Sequence, residues 1–467
     1  MLTSKQLIQV IFLCLFIVFI SRINTPFIRK DDANSVRYAL FAKNIIRLPV
    51  SQHKMANINS LSSNGLPETS LAKPTFYLDH PPGIVWLSAL ISRILGDHYY
   101  SYRLLPIASS LASIYFLYKI FQLLNYSQPI TVIFLSIFAF NPLFVEHGEV
   151  LNFEPTTFFL LTASFYYLLK FKKTKTINSF IISMIIWAVA LLTDWPAYFA
   201  LIPYLLFLPR KQFKKLTSVM VLIPVAVFGL NMAWYSQINK LFVIHFLTDQ
   251  ILFKNRPSID LIGFIKHQIS FAIMNFTHLI PISLLGIILM ARGLRKRFKK
   301  YYSFLTFYLA IGVLNILLFL SWADTHRFWT YYLLPAVILP AAVFVEFLIH
   351  KFKNVFPKYL FLFTALLFYI YLSFYQIKNR QASQAISITE LRNINKINQL
   401  LSPETEIFAD KNIYKTHDGL LLRYHLDKQL TIYQDDQIDE ALYFIKPKKE
   451  SCPVNKLDIS KSYQLCL

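Results

Sequence analysis

The sequence predicts a mainly α, polytopic membrane protein of about eleven transmembrane helices, followed by a small α/β tail outside the membrane. Three observations lead there. Of 467 residues, 55% are hydrophobic and only 15% are charged, whereas a soluble domain carries about a quarter charged residues. The apolar residues fall into runs long enough to span a bilayer, and the basic residues collect between alternate runs. Phe 43 and Tyr 27 against Gly 10 exclude collagen-like, linker-like and disordered chains, which have few aromatics. A net charge of +22 would suggest nucleic acid in a soluble protein. In a membrane protein it orients the chain, and no nucleic-acid partner is expected.

A helix needs about 20 mostly apolar residues to cross roughly 30 Å of hydrocarbon. The candidate spans are 6–21, 103–124, 130–146, 155–169, 177–193, 196–209, 216–235, 269–291, 301–321, 329–349 and 357–376. The first follows Lys5 and has no small-x-small cleavage signal behind it, so it reads as an uncleaved signal anchor. The stretch 83–96 is apolar but short and reads as an interfacial helix. This divides the chain into a membrane unit, 1–376, whose first outside loop is 22–102, and an extracytoplasmic tail, 377–467. In the tail, 382–401 and 418–424 read as helical and 406–409, 430–433, 441–446 and 463–467 as extended. No internal repeat is visible.

Basic residues stay on the cytoplasmic side of a membrane. With the amino terminus inside, the even-numbered spans end in Lys170, Lys172, Lys173 and Lys175, in Arg210, Lys211, Lys214 and Lys215, in the run from Arg292 to Lys300, and in Lys351, Lys353 and Lys358. Glu146, Glu149, Glu154, Asp194 and Asp324 fall at the opposite ends. The first outside loop runs against the rule, with Arg29, Lys30, Arg37, Lys43 and Arg47. At about 60 residues it is near the length beyond which loop charge stops steering orientation. Cys14 lies in an apolar run, and no C-x-x-C pair exists to build a zinc or thioredoxin-type site. Cys452 and Cys466 can pair only if the tail faces an oxidising compartment.

Four outside segments carry chemistry-bearing residues. Arg29-Lys30-Asp31-Asp32 opens the first loop, and its two carboxylates leave both a proton acceptor and a helix cap open. Tyr77-Leu78-Asp79-His80-Pro81-Pro82-Gly83 leads into the interfacial helix and then Arg103-Leu104-Leu105-Pro106. Its paired prolines hold Asp79 and His80 in extended backbone. Glu146 to Pro155 joins two spans, and Glu154 is either a site acid or an ordinary helix start. Asp324-Thr325-His326-Arg327 precedes Tyr331-Tyr332-Leu333-Leu334-Pro335, where an arginine at the head of an aromatic span suits a phosphate.

The order of these segments resembles the large membrane glycosyltransferases of the GT-C superfamily. It is most similar to the dolichyl-phosphate-mannose protein mannosyltransferases and the aminoarabinose transferases. The likeness covers roughly residues 1–350 and is strongest in Lys30 to Arg47, Tyr77 to Leu105 and Thr325 to Ala342. It implies an enzyme of the cell (plasma or inner) membrane that moves a hexosyl or pentosyl unit from a polyprenyl-phosphate-linked donor to a protein, lipid or glycan acceptor. By the same resemblance Asp31 or Asp32 is the catalytic base. Asp32 is favoured because Ala33 to Asn44 resembles the family's helix. Glu154 is the second acid. His80, Asp79, Arg103, Arg327 and His326 fall near the lipid-phosphate pocket. No cofactor is required by this chemistry; a divalent ion on Asp31, Asp32 and His80 is conceivable but not predicted. Two other classes compete: a non-enzymatic flippase of a lipid-linked saccharide, whose ionisable residues would lie at mid-membrane, and a glycan polymerase or ligase, which would rely on the loop 236–268 with His245, Asp249 and Arg256.

Overall fold

The computed structural model of the chain describes residues 4–27, 32–58, 76–208, 213–240, 260–276, 279–292, 295–351, 355–381, 388–401, 406–409, 424–426, 429–432, 444–447, 456–458 and 463–466. Helices dominate from the start: α1 (Ser4–Ile20), α2 (Ala33–Arg47), α3 (Val50–His53), α4 (Gly83–Leu95), α5 (Tyr99–Leu123), α6 (Gln128–Ala139), α7 (Pro142–His147), α8 (Phe153–Thr174) and α9 (Ile177–Leu191). Between α3 and α4, β1 (Asn57–Ile58) and β2 (Phe76–Tyr77) form an antiparallel pair.

Among the described residues four helices are long and apolar enough to cross a membrane, Tyr99–Leu123, Leu216–Ile238, Tyr301–Leu318 and Arg327–Lys351, and a fifth crossing results if one bent pair is counted as a span. Other expected spans correspond to shorter helices such as α6 and α9. At about 1.5 Å per residue, the 12 residues of α6 cover only about 18 Å. The expected span 269–291 is interrupted: Leu261–Phe276 and Leu279–Ala291 meet at 92°. A helix end inside an apolar bundle needs partners for its free carbonyls, and the Asn141 side chain supplies one by donating to the Asn275 carbonyl at 3.1 Å.

The main core is aromatic. Phe165 stacks on Phe307 with ring centroids 4.0 Å apart, and Phe121, Phe134 and Phe304 interlock within 5.7 Å of one another. Small residues bring helices together where large ones would not fit: a Cβ on Gly286 would come within 2.0 Å of the Pro340 carbonyl.

A second core joins residues of the segment between α1 and α5 to the tail. It holds Phe27, Val36, Leu40, Phe41, Ile84, Tyr102 and Phe153 together with Ile394, Ile407, Tyr424 and Ile445. The helix Val355–Gln381 runs past residue 376, and Ile388–Leu400 is the first separate element of the tail. Five strands follow: β3 (Glu406–Ala409), β4 (Gln429–Ile432), β5 (Phe444–Pro447), β6 (Lys456–Asp458) and β7 (Tyr463–Cys466). They form one mixed sheet in the order β4-β3-β5-β7-β6, parallel at β4-β3-β5 and antiparallel at β5-β7-β6. Cys452 and the Cys466 side chain lie outside the described residues.

Candidate active site

One cleft opens where α2 and the segment before α4, the head of α8 and the turn after α9 meet. Its lining includes Asn34, Arg37 and Tyr38 of α2, Tyr77 and His80 of the following segment, Asn152 to Glu154, Asp194, and, from much later in the chain, His326 and Tyr332. The space not filled by atoms is ≈ 470 Å³ with its open mouth included, within the usual range for small-molecule sites.

Local sequence explains how these groups are held. Pro81 and Pro82 stiffen the chain behind His80, and Gly83 then fixes it to the turn after α9 by donating its N–H to the Leu192 carbonyl at 2.8 Å. Only glycine permits this approach, because a Cβ there would lie 2.4 Å from the same oxygen. Trp195 ties the two segments a second time, its indole N–H donating to the Asp79 carbonyl at 2.6 Å. The Tyr235 hydroxyl donates to the His80 carbonyl at 2.9 Å.

Between these segments His80 Nδ1 lies 3.0 Å from Asp194 Oδ1. Asp194 also accepts from the Trp195 N–H at 2.8 Å and from the Tyr332 hydroxyl at 3.2 Å. The imidazole is stacked against Phe153, centroids 4.2 Å apart, and faces Tyr77 on its other side at 6.1 Å. Glu154 opens α8, where the helix N-terminus favours an acid. It is 6% exposed, and its Oε2 has no hydrogen-bond partner among the described residues. Arg37 sits over the Tyr77 ring at 5.7 Å. Burial pushes the Tyr38 and Tyr77 phenols up, so both remain protonated donors.

Of the residues expected from the sequence, His80, His326 and Glu154 come together in this cleft. Asp32 and Arg103 lie apart from its lining. They form a fully buried ion pair, Arg103 Nη2 to Asp32 Oδ1 at 3.1 Å, with neither side chain exposed. Asp32 occupies the N-cap position of α2 without making the side-chain cap bond. The remaining Arg103 donors meet the Thr25 and Glu149 carbonyls at 3.3 Å, and its guanidinium lies 4.8 Å from the Phe27 ring centre. Arg327 pairs with Glu146 at 3.0 Å, and Asp79 contributes its carbonyl rather than its acid to the link described above. Buried charges are usually paired, and both arginines expected near the lipid phosphate have carboxylate partners, Asp32 and Glu146. Asp31, His245, Asp249 and Arg256 lie outside the described residues. Among the described residues no three of His, Cys, Asp and Glu are grouped to hold a metal ion.

Asp194, Arg37 and the amides Asn34 and Asn152 are cleft residues that sequence reasoning passed over. Asp194 was visible only as one of the acids marking the outer membrane face. The acid directly before Trp195-Pro196 was the available signal, since proline one residue beyond forces a fixed turn.

Residues 79–235 match the family model for dolichyl-phosphate-mannose-protein mannosyltransferase. ArnT from Cupriavidus metallidurans bound to undecaprenyl phosphate superposes with a TM-score of 0.65 at 13% identity, covering 99% of this chain and 98% of that one. The chain has the GT-C fold. The apo form of the same ArnT gives a TM-score of 0.63 at 11% identity, with the same coverage. AglB, the archaeal oligosaccharyltransferase from Archaeoglobus fulgidus in complex with an inhibitory peptide and a dolichol-phosphate, gives 0.60 at 11% identity over 95% of this chain and 69% of that one. No curated protein sequence matches this chain. The 79–83 segment and the Asp194 turn both lie within residues 79–235, the stretch that matches the mannosyltransferase family model.

Proposed function

We propose that the chain transfers a sugar from a polyprenyl-phosphate donor to an acceptor hydroxyl in this cleft, at the extracytoplasmic surface of the membrane, with inversion in one displacement. The observation that carries the reading is the convergence of Glu154, Asp194, His80, His326 and Arg37 in one open cleft at the end of an apolar bundle. A prenyl carrier keeps its chain in the bilayer and its phosphate and sugar at the surface, so such a site has to lie where spans meet water. The GT-C fold, and an ArnT neighbour bound to undecaprenyl phosphate, support the same substrate class.

In this reading the polyprenyl phosphate leaves as a stable anion, and cleft cations such as Arg37 offset its charge. The acceptor hydroxyl needs a group that takes its proton. Glu154 faces the cleft and serves to orient the acceptor or to stabilise positive charge on the sugar ring. Asp32, the base implied by family resemblance, reaches substrate only by leaving Arg103; in the paired state its role is to fix the head of α2, from which Asn34 and Arg37 enter the cleft.

The test is transfer by the purified protein in lipid vesicles, supplied with a panel of labelled polyprenyl-phosphate sugars and hydroxyl acceptors. Turnover with one donor class, lowered by Glu154→Gln, is expected. Absence of transfer and of donor hydrolysis with every donor, from protein that is folded in the membrane, overturns the reading.

A further inference from the structure

The later half of the chain brings a row of stacked rings to the cleft. Trp322 lies in the short helix Leu320–Thr325, and His326 and Phe328 follow it. The Trp322 and His326 rings are 14° from parallel with centroids 5.5 Å apart, and His326 and Phe328 are 16° from parallel at 5.0 Å. All three line the cleft and remain partly exposed. The backbone holds the row in shape, with the His326 N–H donating to the Trp322 carbonyl at 2.9 Å and the Trp329 N–H to the His326 carbonyl at 3.2 Å. From the interrupted helix, Gln268 donates to the Ala323 carbonyl at 2.6 Å and Asn275 to the Arg327 carbonyl at 2.8 Å. A preformed aromatic surface left open in a cleft suits a ligand with an apolar face.

Polar groups with unused capacity share the same lining. Asn315, from the helix Arg295–Leu318, is 2% exposed. Its Nδ2 donates to the Trp329 carbonyl at 3.3 Å, while its Oδ1 has no hydrogen-bond partner among the described residues. Glu154 Oε2 is in the same condition. A buried acceptor without a donor is costly, so both oxygens call for a ligand that brings hydroxyl or N–H groups. Arg37, from α2, is the one Lys or Arg on the lining among the described residues.

Stacked rings beside unfilled acceptors match the two faces of a sugar. A pyranose turns C–H groups toward an aromatic plane and carries hydroxyls around its edge, each able to donate and to accept. An anionic headgroup would need cations beside the row, and the later half of the chain supplies no Lys or Arg to this lining. A seryl or threonyl hydroxyl on a peptide brings no ring to cover the row. We propose that Trp322, His326 and Phe328, with Asn315, form the acceptor subsite, and that the acceptor is an uncharged saccharide whose ring lies on the row and whose hydroxyls bond to Asn315 and Glu154. The role as acceptor rests on the glycosyl-transfer reading above; binding of the sugar is measurable without turnover.

Both are tested on the full-length protein in vesicles, with and without undecaprenyl phosphate. The binding probes are disaccharides of glucose, galactose and mannose, a neutral peptide of serine and threonine, and glycerol phosphate, each followed by saturation-transfer NMR. At least one disaccharide should receive saturation from the protein, and the peptide and glycerol phosphate should not. Trp322→Leu should weaken that disaccharide about tenfold through the loss of a stacked ring. Trp322→Phe, which keeps a ring, should bind close to the original strength, and Asn315→Leu should weaken binding without touching the row. In transfer assays with the same disaccharide, the two Leu variants should raise KM for the acceptor while kcat and donor KM stay near their original values, the mark of lost binding rather than lost chemistry. Absence of saturation with every disaccharide, equal binding by Trp322→Leu, or an effect confined to donor KM overturns the proposal. A transfer-competent protein that fails in any of these ways leaves the glycosyl-transfer reading standing. A protein that binds a disaccharide through Trp322 yet turns over no donor keeps the saccharide site and overturns its role as acceptor.

Discussion

Asp32 and Arg103 are each legible in the sequence, while their pairing is not. Both stand out in the sequence as charges beside apolar runs, and the resemblance makes one a base and the other a phosphate ligand. Seventy-one residues separate them, and no local pattern signals that each is the other's partner. Removing one member of a buried pair leaves an uncompensated charge, at a cost of about 3–5 kcal/mol, whereas replacing both with apolar residues of similar volume is far milder. Arg103→Met alone should therefore lower the thermal transition in detergent sharply, and Asp32→Leu with Arg103→Met should recover much of the loss. A double variant no more stable than the single one would show that the pair does not act as a unit. His80 and Glu154 were readable because proline and a span boundary sit beside them. Asp194 was not, because an acid after an apolar run reads first as a topology marker.

The places of individual helices and strands are legible because apolar periodicity and prolines act locally, whereas the number of spans, four or five among the described residues against about eleven expected, is not. The strand Glu406–Ala409 lies where the alternation places it, and Lys456–Asp458 is a strand that its short polar stretch gave no reason to expect. The contact between tail and first loop was invisible, because it joins residues more than 300 positions apart, a buried histidine among them. His425 Nε2 meets the Phe27 carbonyl at 3.2 Å, its Nδ1 meets the Tyr99 hydroxyl at 3.4 Å, and the neighbouring Tyr424 ring carries Lys43 at 4.1 Å. Burial pushes the imidazole down to about 4, against about 6.5 when exposed. The exposed form thus binds more protons between those values. Tail docking is at full strength above about pH 6.5 and weakens progressively as pH falls toward about 4, by on the order of 3 kcal/mol. Limited proteolysis of the tail across this window should show the loss, and His425→Gln should flatten it. A tail equally protected at pH 7 and pH 4.5 would contradict the assignment.

At the scale of the whole molecule, α8 is not among the four helices long and apolar enough to cross a membrane, yet it carries a charge asymmetry from end to end. Glu154 opens it at the cleft, and Lys172 and Lys173 close it at the other end. Eighteen positions at roughly 1.5 Å each give about 27 Å, close to the hydrocarbon thickness. Acids at one end and lysines at the other are the charge asymmetry from which the proposed orientation, with the cleft outside, is argued. In a background lacking the three native cysteines, a membrane-impermeant thiol reagent applied to intact cells should label Thr325→Cys, an exposed position near the cleft, and spare Thr174→Cys, which is exposed at the lysine end. The reverse pattern would invert the protein and remove the site from its substrate's surface. Charge distribution made this axis readable at once; where the bundle opens into a cleft depends on packing between distant helices, which composition does not encode. Under the proposed function, the length of α8, close to that of the oil layer, also ties turnover to lipid chain length. Bilayers with shorter or longer acyl chains force such a helix to tilt or the lipid to deform, which moves Glu154 relative to the headgroups where a carrier's sugar resides, so turnover should peak at one membrane thickness.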